Sequence, residues 1–165
     1  MSGSLTIGIE EGLPKMGYIE ELREMIGTRP IILNGSAIIV LNHSQEVLLQ
    51  LRTDTNDWSV PGGAMEIGET LEETASRELL EETGLKSEML QFLGVLSGKD
   101  MYYQYPNGNE VYNVIHVFQA DSVAGSLRVD EEGQDLQYFP IEKLPEELNP
   151  VTERILHKYL FAIAE

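Results

Sequence analysis

Apolar positions along this chain follow two rhythms, and the change between them marks the elements. Residues 29–42 and 45–53 are rich in Val, Ile and Leu, with only Asn42 to Gln45 between them, so they read as two strands of a hairpin. Trp58 and Val60 mark a short strand running into Pro61-Gly62-Gly63, and residues 89–98 form another strand. Residues 101–120 carry Asn107-Gly108 between two β-rich arms, a strong hairpin signal. Residues 135–140 make a last strand.

The helical rhythm appears in four places. Ile19, Leu22 and Met25–Ile26 line one side of a short helix over 17–27. Leu71, Ala75 and Leu79 define a helix from about Thr70 to Thr83, closed by Gly84 where a left-handed residue is wanted. Residues 144–148 begin a helical turn, and 152–164 form an amphipathic C-terminal helix. Hairpins together with a crossover helix predict an α/β fold with a mixed β-sheet flanked by helices.

The chain has 165 residues, enough for one domain with a core of its own. Residues 1–15 read as a flexible arm, a tag or an alternative start before Met16, and 16–165 as the single domain. There is no cysteine, so disulfides and thiolate metal sites are excluded, and a reducing cytoplasm suits the composition. No apolar run approaches the ~18 residues of a membrane span, and the N-terminus lacks the pattern of a secretory signal. The formal net charge is −17. Such a surface repels phosphate backbones, which argues against a nucleic-acid partner.

The acids are concentrated. Gly62 to Leu85 holds seven glutamates: Glu66, Glu69, Glu72, Glu73, Glu78, Glu81 and Glu82. At about 100° per residue, with Leu71 at zero, Glu78 and Glu82 fall roughly 20° to either side of the apolar stripe's start and Glu81 roughly 80° away. A solvated acidic face belongs opposite the stripe. That reading suits Glu72 and Glu73 but not the other three, whose like charges at i, i+3 and i+4 repel. The spacing leaves two readings open, a solvated face and a divalent-cation site. Hard oxygen ligands favour Mg²⁺ or Mn²⁺ over zinc.

This stretch resembles the Nudix signature, G-x5-E-x7-R-E-U-x-E-E-x-G-U with U a bulky aliphatic. Every fixed position matches: Gly63, Glu69, Arg77, Glu78, Leu79, Glu81, Glu82, Gly84 and Leu85. The resemblance implies a Nudix-like α/β/α sandwich with a catalytic loop-helix-loop that holds divalent cations against a diphosphate. It implies Glu78, Glu81 and Glu82 as the metal-ligand group, Glu69 as a supporting acid and Arg77 as the residue that orients the acids. Gly63 would let the backbone approach metal or substrate, or serve only as a turn glycine. The implied activity is hydrolysis of the pyrophosphate linkage in a small nucleoside diphosphate linked to a group X, with Mg²⁺ (or Mn²⁺) as cofactor. A non-catalytic Nudix-fold nucleotide sensor is the alternative, and a homodimer is left open.

Glu81 or Glu82 would serve as general base, or a residue from a distant loop. Asp130, Glu131 and Glu132 precede the last strand, and Glu132 is preferred there. Arg52 and Lys99 are candidate phosphate contacts in a chain poor in cations. Trp58, Tyr102, Tyr103, Tyr105 and Tyr112 are candidate stacking partners for a base. Tyr102 and Tyr103 also stand 17 and 18 residues past Leu85, where the family places a tyrosine in enzymes acting on dinucleoside polyphosphates. Asp100 and Met101 stand where ADP-sugar enzymes carry a proline. The histidines His43, His116 and His157 are too scattered to form a ligand set.

Overall fold

The computed structural model describes residues 16–161. The expectations for 1–15, and for the end of the last helix past 161, lie outside the described residues. In chain order the elements are α1 (Tyr18–Ile26), β1 (Ile31–Val40), β2 (Val47–Arg52), β3 (Trp58–Ser59), β4 (Gly62–Ala64), α2 (Leu71–Thr83), β5 (Lys86–Leu96), β6 (Tyr102–Gln104), β7 (Glu110–Ala124), β8 (Gly133–Phe139) and α3 (Pro150–Tyr159). Short 3-10 turns cover Lys99–Met101 and Ile141–Lys143.

Two sheets form. The larger has the order β4-β1-β7-β5, with β6 also paired to β7, and the smaller the order β3-β2-β8. β1 runs parallel to β7, and every other pairing is antiparallel. Alternation along the central strands then feeds two cores. Ile38, Val40, Leu48 and Phe118 pack with Ala75 and Leu79 of α2. Ile39, Leu49 and Val117 pack with Ile155 and Leu156 of α3. The result is an α/β/α sandwich with a mixed sheet.

The expected hairpin over 29–53 is not made. The turn itself is tight, with Asn42 N–H donating to Glu46 O at 3.0 Å and Gln45 N–H to Asn42 O at 3.0 Å. Beyond one bridge, Leu41 to Val47, the strands part into different sheets. The reason is burial: residues 35–40 of β1 are buried on both faces, so β1 takes a central place between β4 and β7. The Asn107-Gly108 hairpin forms as read, between β6 and β7. Residues 144–148 are not helical, and the turn expected there lies earlier, at Ile141–Lys143. α3 starts at Pro150, before the expected Thr152, because Asn149 caps it by accepting from Val151 N–H at 3.0 Å.

α2 is framed by a reciprocal cap. Thr70 Oγ1 accepts from Glu73 N–H at 3.1 Å, and Glu73 Oε2 accepts from Thr70 N–H at 2.8 Å. Glu73 therefore has a structural partner rather than being only a solvated acid. The T-x-x-E spacing carried that signal in the sequence.

Candidate active site

A cleft of about 430 Å³ opens where β4, the tip of β2, the β6–β7 hairpin, the loop before β8 and α1 meet. Gly63, Glu78, Arg52, Glu132, Tyr103 and Tyr105 all line it. α2 supplies the acids from below. Glu82 is 1 % exposed and Glu78 9 %, as expected for positions beside the apolar stripe.

Neither carboxylate oxygen of Glu82 has a hydrogen-bond partner. Burial pushes its carboxyl well above the ordinary range, and the adjoining Glu78 pushes it further, while Arg52 opposes the shift. Burying an unpaired carboxylate costs on the order of several kcal/mol. A helix that keeps two acids together under such conditions has the donor chemistry of a hard-cation site. Gly63 adds a close approach: a Cβ built there would run into the Glu78 carboxylate.

The neighbouring acid is the opposite case. Glu69 Oε1 accepts from Arg77 Nε at 2.5 Å, and Oε2 accepts from Arg77 Nη2 at 2.9 Å, Thr74 Oγ1 at 2.8 Å and Glu66 N–H at 3.0 Å. The Arg77 bond holds its carboxyl down at about 2 against the effect of burial. Arg77 also donates to Ala64 O at 3.0 Å, Glu78 Oε1 at 2.7 Å and Glu81 Oε2 at 3.3 Å. One guanidinium thus ties the loop after β4 to the helix. Glu81 stands apart from the buried pair, its side chain 55 % exposed. Among the described residues no three acid or histidine side chains converge as a ready-made metal cluster. Glu78 and Glu82 meet, and Glu81 faces Arg77.

Arg52 approaches the acids from the strand side. Its Nε and Nη2 donate to Asp54 Oδ1 and Oδ2, both at 2.8 Å. Burial alone would weaken its proton, but the Asp54 bond and the charges of Asp54 and Glu82 more than reverse that. Glu132 sits on a braced turn. Asp130 Oδ1 accepts from the N–H groups of Glu132 and Gly133, both at 3.1 Å, while Thr53 N–H and Oγ1 hold Glu132 O at 3.0 and 2.9 Å. Partial burial raises the Glu132 carboxyl, Arg52 opposes it, and Glu78 adds to the rise.

The aromatic candidates divide. Tyr103 faces the cleft and packs edge-on to Tyr105, with ring centroids 4.9 Å apart. Tyr102 is next in sequence and so points to the other side of the sheet, where it meets Tyr112 and donates to Glu110 Oε1 at 2.6 Å. Trp58 packs edge-on to Phe139 beside the core and is not among the cleft-lining residues. Lys99 is exposed and also away from the lining. Sequence reasoning missed Arg23, Asp54, Glu66, Asn107, Asn109 and Asn113, which line the cleft. Asn107 and Asn109 had a signal, since both flank the hairpin glycine.

The sequence model of the NUDIX domain matches residues 33–159. The chain belongs to the Nudix family. Among curated proteins it is 33 % identical over 126 residues to a Bacillus subtilis (strain 168) protein named "Putative 8-oxo-dGTP diphosphatase", covering 76 % of this chain and 78 % of that one. It is 34 % identical over 103 residues to an ADP-ribose pyrophosphatase of Methanocaldococcus jannaschii, covering 62 % of this chain and 57 % of that one. A crystal structure of a MutT NUDIX hydrolase from Burkholderia pseudomallei superimposes with a TM-score of 0.67 at 26 % identity, over 79 % of this chain and 98 % of that one. This Nudix domain is therefore of the MutT-like, hydrolase type, with the loop-helix-loop of its signature at the cleft floor. No helix among the described residues is long and apolar enough to cross a membrane.

Proposed function

We propose that this Nudix hydrolase cleaves the P–O–P bridge of a small nucleoside diphosphate linked to a group X, using Mg²⁺ or Mn²⁺, in the cytoplasm. The observation that carries the reading is Glu82: buried, without hydrogen-bond partners and pressed against Glu78 beneath the cleft. Glu78 and Glu82 would hold the cation, with Glu81 joining them from its contact with Arg77 and the backbone at Gly63 close by. A bound divalent cation supplies neutralisation of phosphate charge and Lewis-acid polarisation of the reacting phosphoryl group.

The remaining roles fall to this chain's own side chains. Arg77 fixes Glu69 and orients Glu78. Arg52, braced by Asp54, offers positive charge to the diphosphate in a cleft otherwise rich in acids. Glu132 takes the proton from the attacking water, as its raised carboxyl suits a base. The water oxygen bonds to phosphorus, the bridging P–O bond breaks, and the leaving phosphate carries away the electron pair. Tyr103 and Tyr105 provide a face for the nucleobase, beside the side-chain amides of Asn107, Asn109 and Asn113. Such amides can donate to and accept from a base edge.

The test is a nucleotide panel with Mg²⁺ that includes 8-oxo-dGTP, ADP-ribose and dinucleoside polyphosphates, reading phosphate and nucleoside monophosphate release. Turnover that EDTA abolishes supports the proposal. Tight binding without turnover of any member would favour the sensor reading instead.

A further inference from the structure

α1 precedes the matched domain, which begins at residue 33, yet it supplies one wall of the cleft through Ile19, Glu20 and Arg23. It is strung between two rims. At its start, Glu66 of the signature loop accepts from Tyr18 N–H at 2.9 Å, a carboxylate on a helix N-terminus. Gly17 lies so close that a Cβ there would stand 2.8 Å from the same carboxylate. At its end, Arg23 Nη2 donates to Glu110 O at 2.8 Å, and Nη1 to the carbonyls of Gly27 and Arg29 at 3.1 and 2.6 Å. Glu110 opens β7 just past the Asn107-Gly108 turn, and its N–H donates back to Thr28 O at 3.2 Å.

No residue of α1 is buried. Ile19, Leu22 and Ile26 are only partly covered, and Met25 is 76 % exposed. The helix is therefore held by polar contacts at its two ends more than by a core. Elements with few buried apolar contacts open at little cost.

We propose that α1 is a specificity strap. Closed, it sizes the cleft for a compact mononucleotide with a small group X and excludes dinucleotides and RNA 5′ ends. Glu66 and Arg23 are its positioning residues. The cavity of about 430 Å³ sits at the small end of the ~300–1,000 Å³ range of ligand pockets. Glu66 also links the strap to the signature loop, because its N–H donates to the Arg77-bound carboxylate of Glu69 at 3.0 Å.

The proposal rests on the hydrolase reading, so its test has an arm that needs no substrate. Amide hydrogen exchange is compared between metal-free wild type, Glu66→Ala and Glu66→Gln. The strap predicts exchange about tenfold faster across Tyr18–Ile26 in Glu66→Ala, with the core amides unchanged and with rescue by Glu66→Gln, which keeps an acceptor oxygen. Equal exchange over α1 in all three proteins overturns it. The second arm measures kcat/KM with Mg²⁺ on 8-oxo-dGTP, ADP-ribose, a dinucleoside tetraphosphate and a 5′-triphosphorylated RNA. In Glu66→Ala the two long substrates should gain on the short ones by about tenfold, through KM. An unchanged ranking overturns the strap. If wild type hydrolyses none of the four, the hydrolase reading fails on this panel, and the strap is decided by the Kd of the same four compounds: an unchanged ranking between wild type and Glu66→Ala overturns it.

Discussion

Glu69 and Glu82 lie thirteen positions apart in one signature, yet they occupy opposite physical states. Both oxygens of Glu69 are bound, chiefly by Arg77. Both oxygens of Glu82 are buried and bound by nothing. The proton equilibria follow: Glu69 is held at about 2 by the Arg77 bond, whereas burial drives Glu82 upward. Glu69 therefore stabilises the fold above its unfolded-state pKa of ~4.3, and that contribution is lost as pH falls through about 2. Glu82 works the other way. Its penalty is absent below ~4.3 and grows as pH rises toward its elevated folded value. A shared motif thus contains one acid whose oxygens are taken up by protein donors and one whose buried oxygens are not.

Replacing a carboxylate by an amide of the same shape separates the two acids. Glu82→Gln should give the largest effect, a fall in kcat of about a thousandfold on a confirmed substrate, because several kcal/mol of cation-dependent stabilisation is lost while the fold persists. Steady-state kinetics with a circular-dichroism check reads this. Turnover near wild type would remove Glu82 from the metal group. Arg77→Ala strips the partner from Glu69 and Glu78 together and should cost about 3 kcal/mol in urea unfolding. A loss under 1 kcal/mol would mean that the clamp is not structural. Glu69→Gln should cost about 1–2 kcal/mol at pH 7, and the gap to wild type should close as pH falls from ~4 toward about 2. A gap independent of pH would show that charge is not what Glu69 contributes. Glu81→Gln should move metal-free stability by no more than about 0.5 kcal/mol, since its contact with Arg77 is largely exposed. A larger change would place Glu81 in the strained group.

Much of this contrast was legible in the sequence. The helical wheel put Glu78 and Glu82 beside the apolar stripe, and these two are buried together. It put Glu81 farther round, and that side chain is exposed. The wheel could not show which acid Arg77 would hold, because Glu69 belongs to a loop whose path is set by tertiary packing. Tyr102 and Tyr103 show a second limit. Adjacent residues in a strand face opposite ways, so only one of them could line the cleft, and the choice depended on which face of β6 turned inward. The hairpin over β1 and β2 failed because two buried faces outweighed a short turn. α1 was read correctly as a helix, but its place over the cleft depends on Glu66 and Glu110, far away in sequence.

The most direct test of the strained-acid claim is the melting temperature of wild type and Glu82→Gln at neutral pH, first in EDTA and then in millimolar Mg²⁺. Glu82→Gln should melt higher in EDTA, because the neutral amide is spared the penalty that burial places on an ionisable carboxyl at neutral pH. Mg²⁺ should narrow or reverse the gap, since wild type gains RT ln(1 + [Mg²⁺]/Kd) and the variant gains less. A variant that melts lower in EDTA, or a gap that Mg²⁺ leaves unchanged, would contradict the claim that Glu82 is held in reserve for a cation.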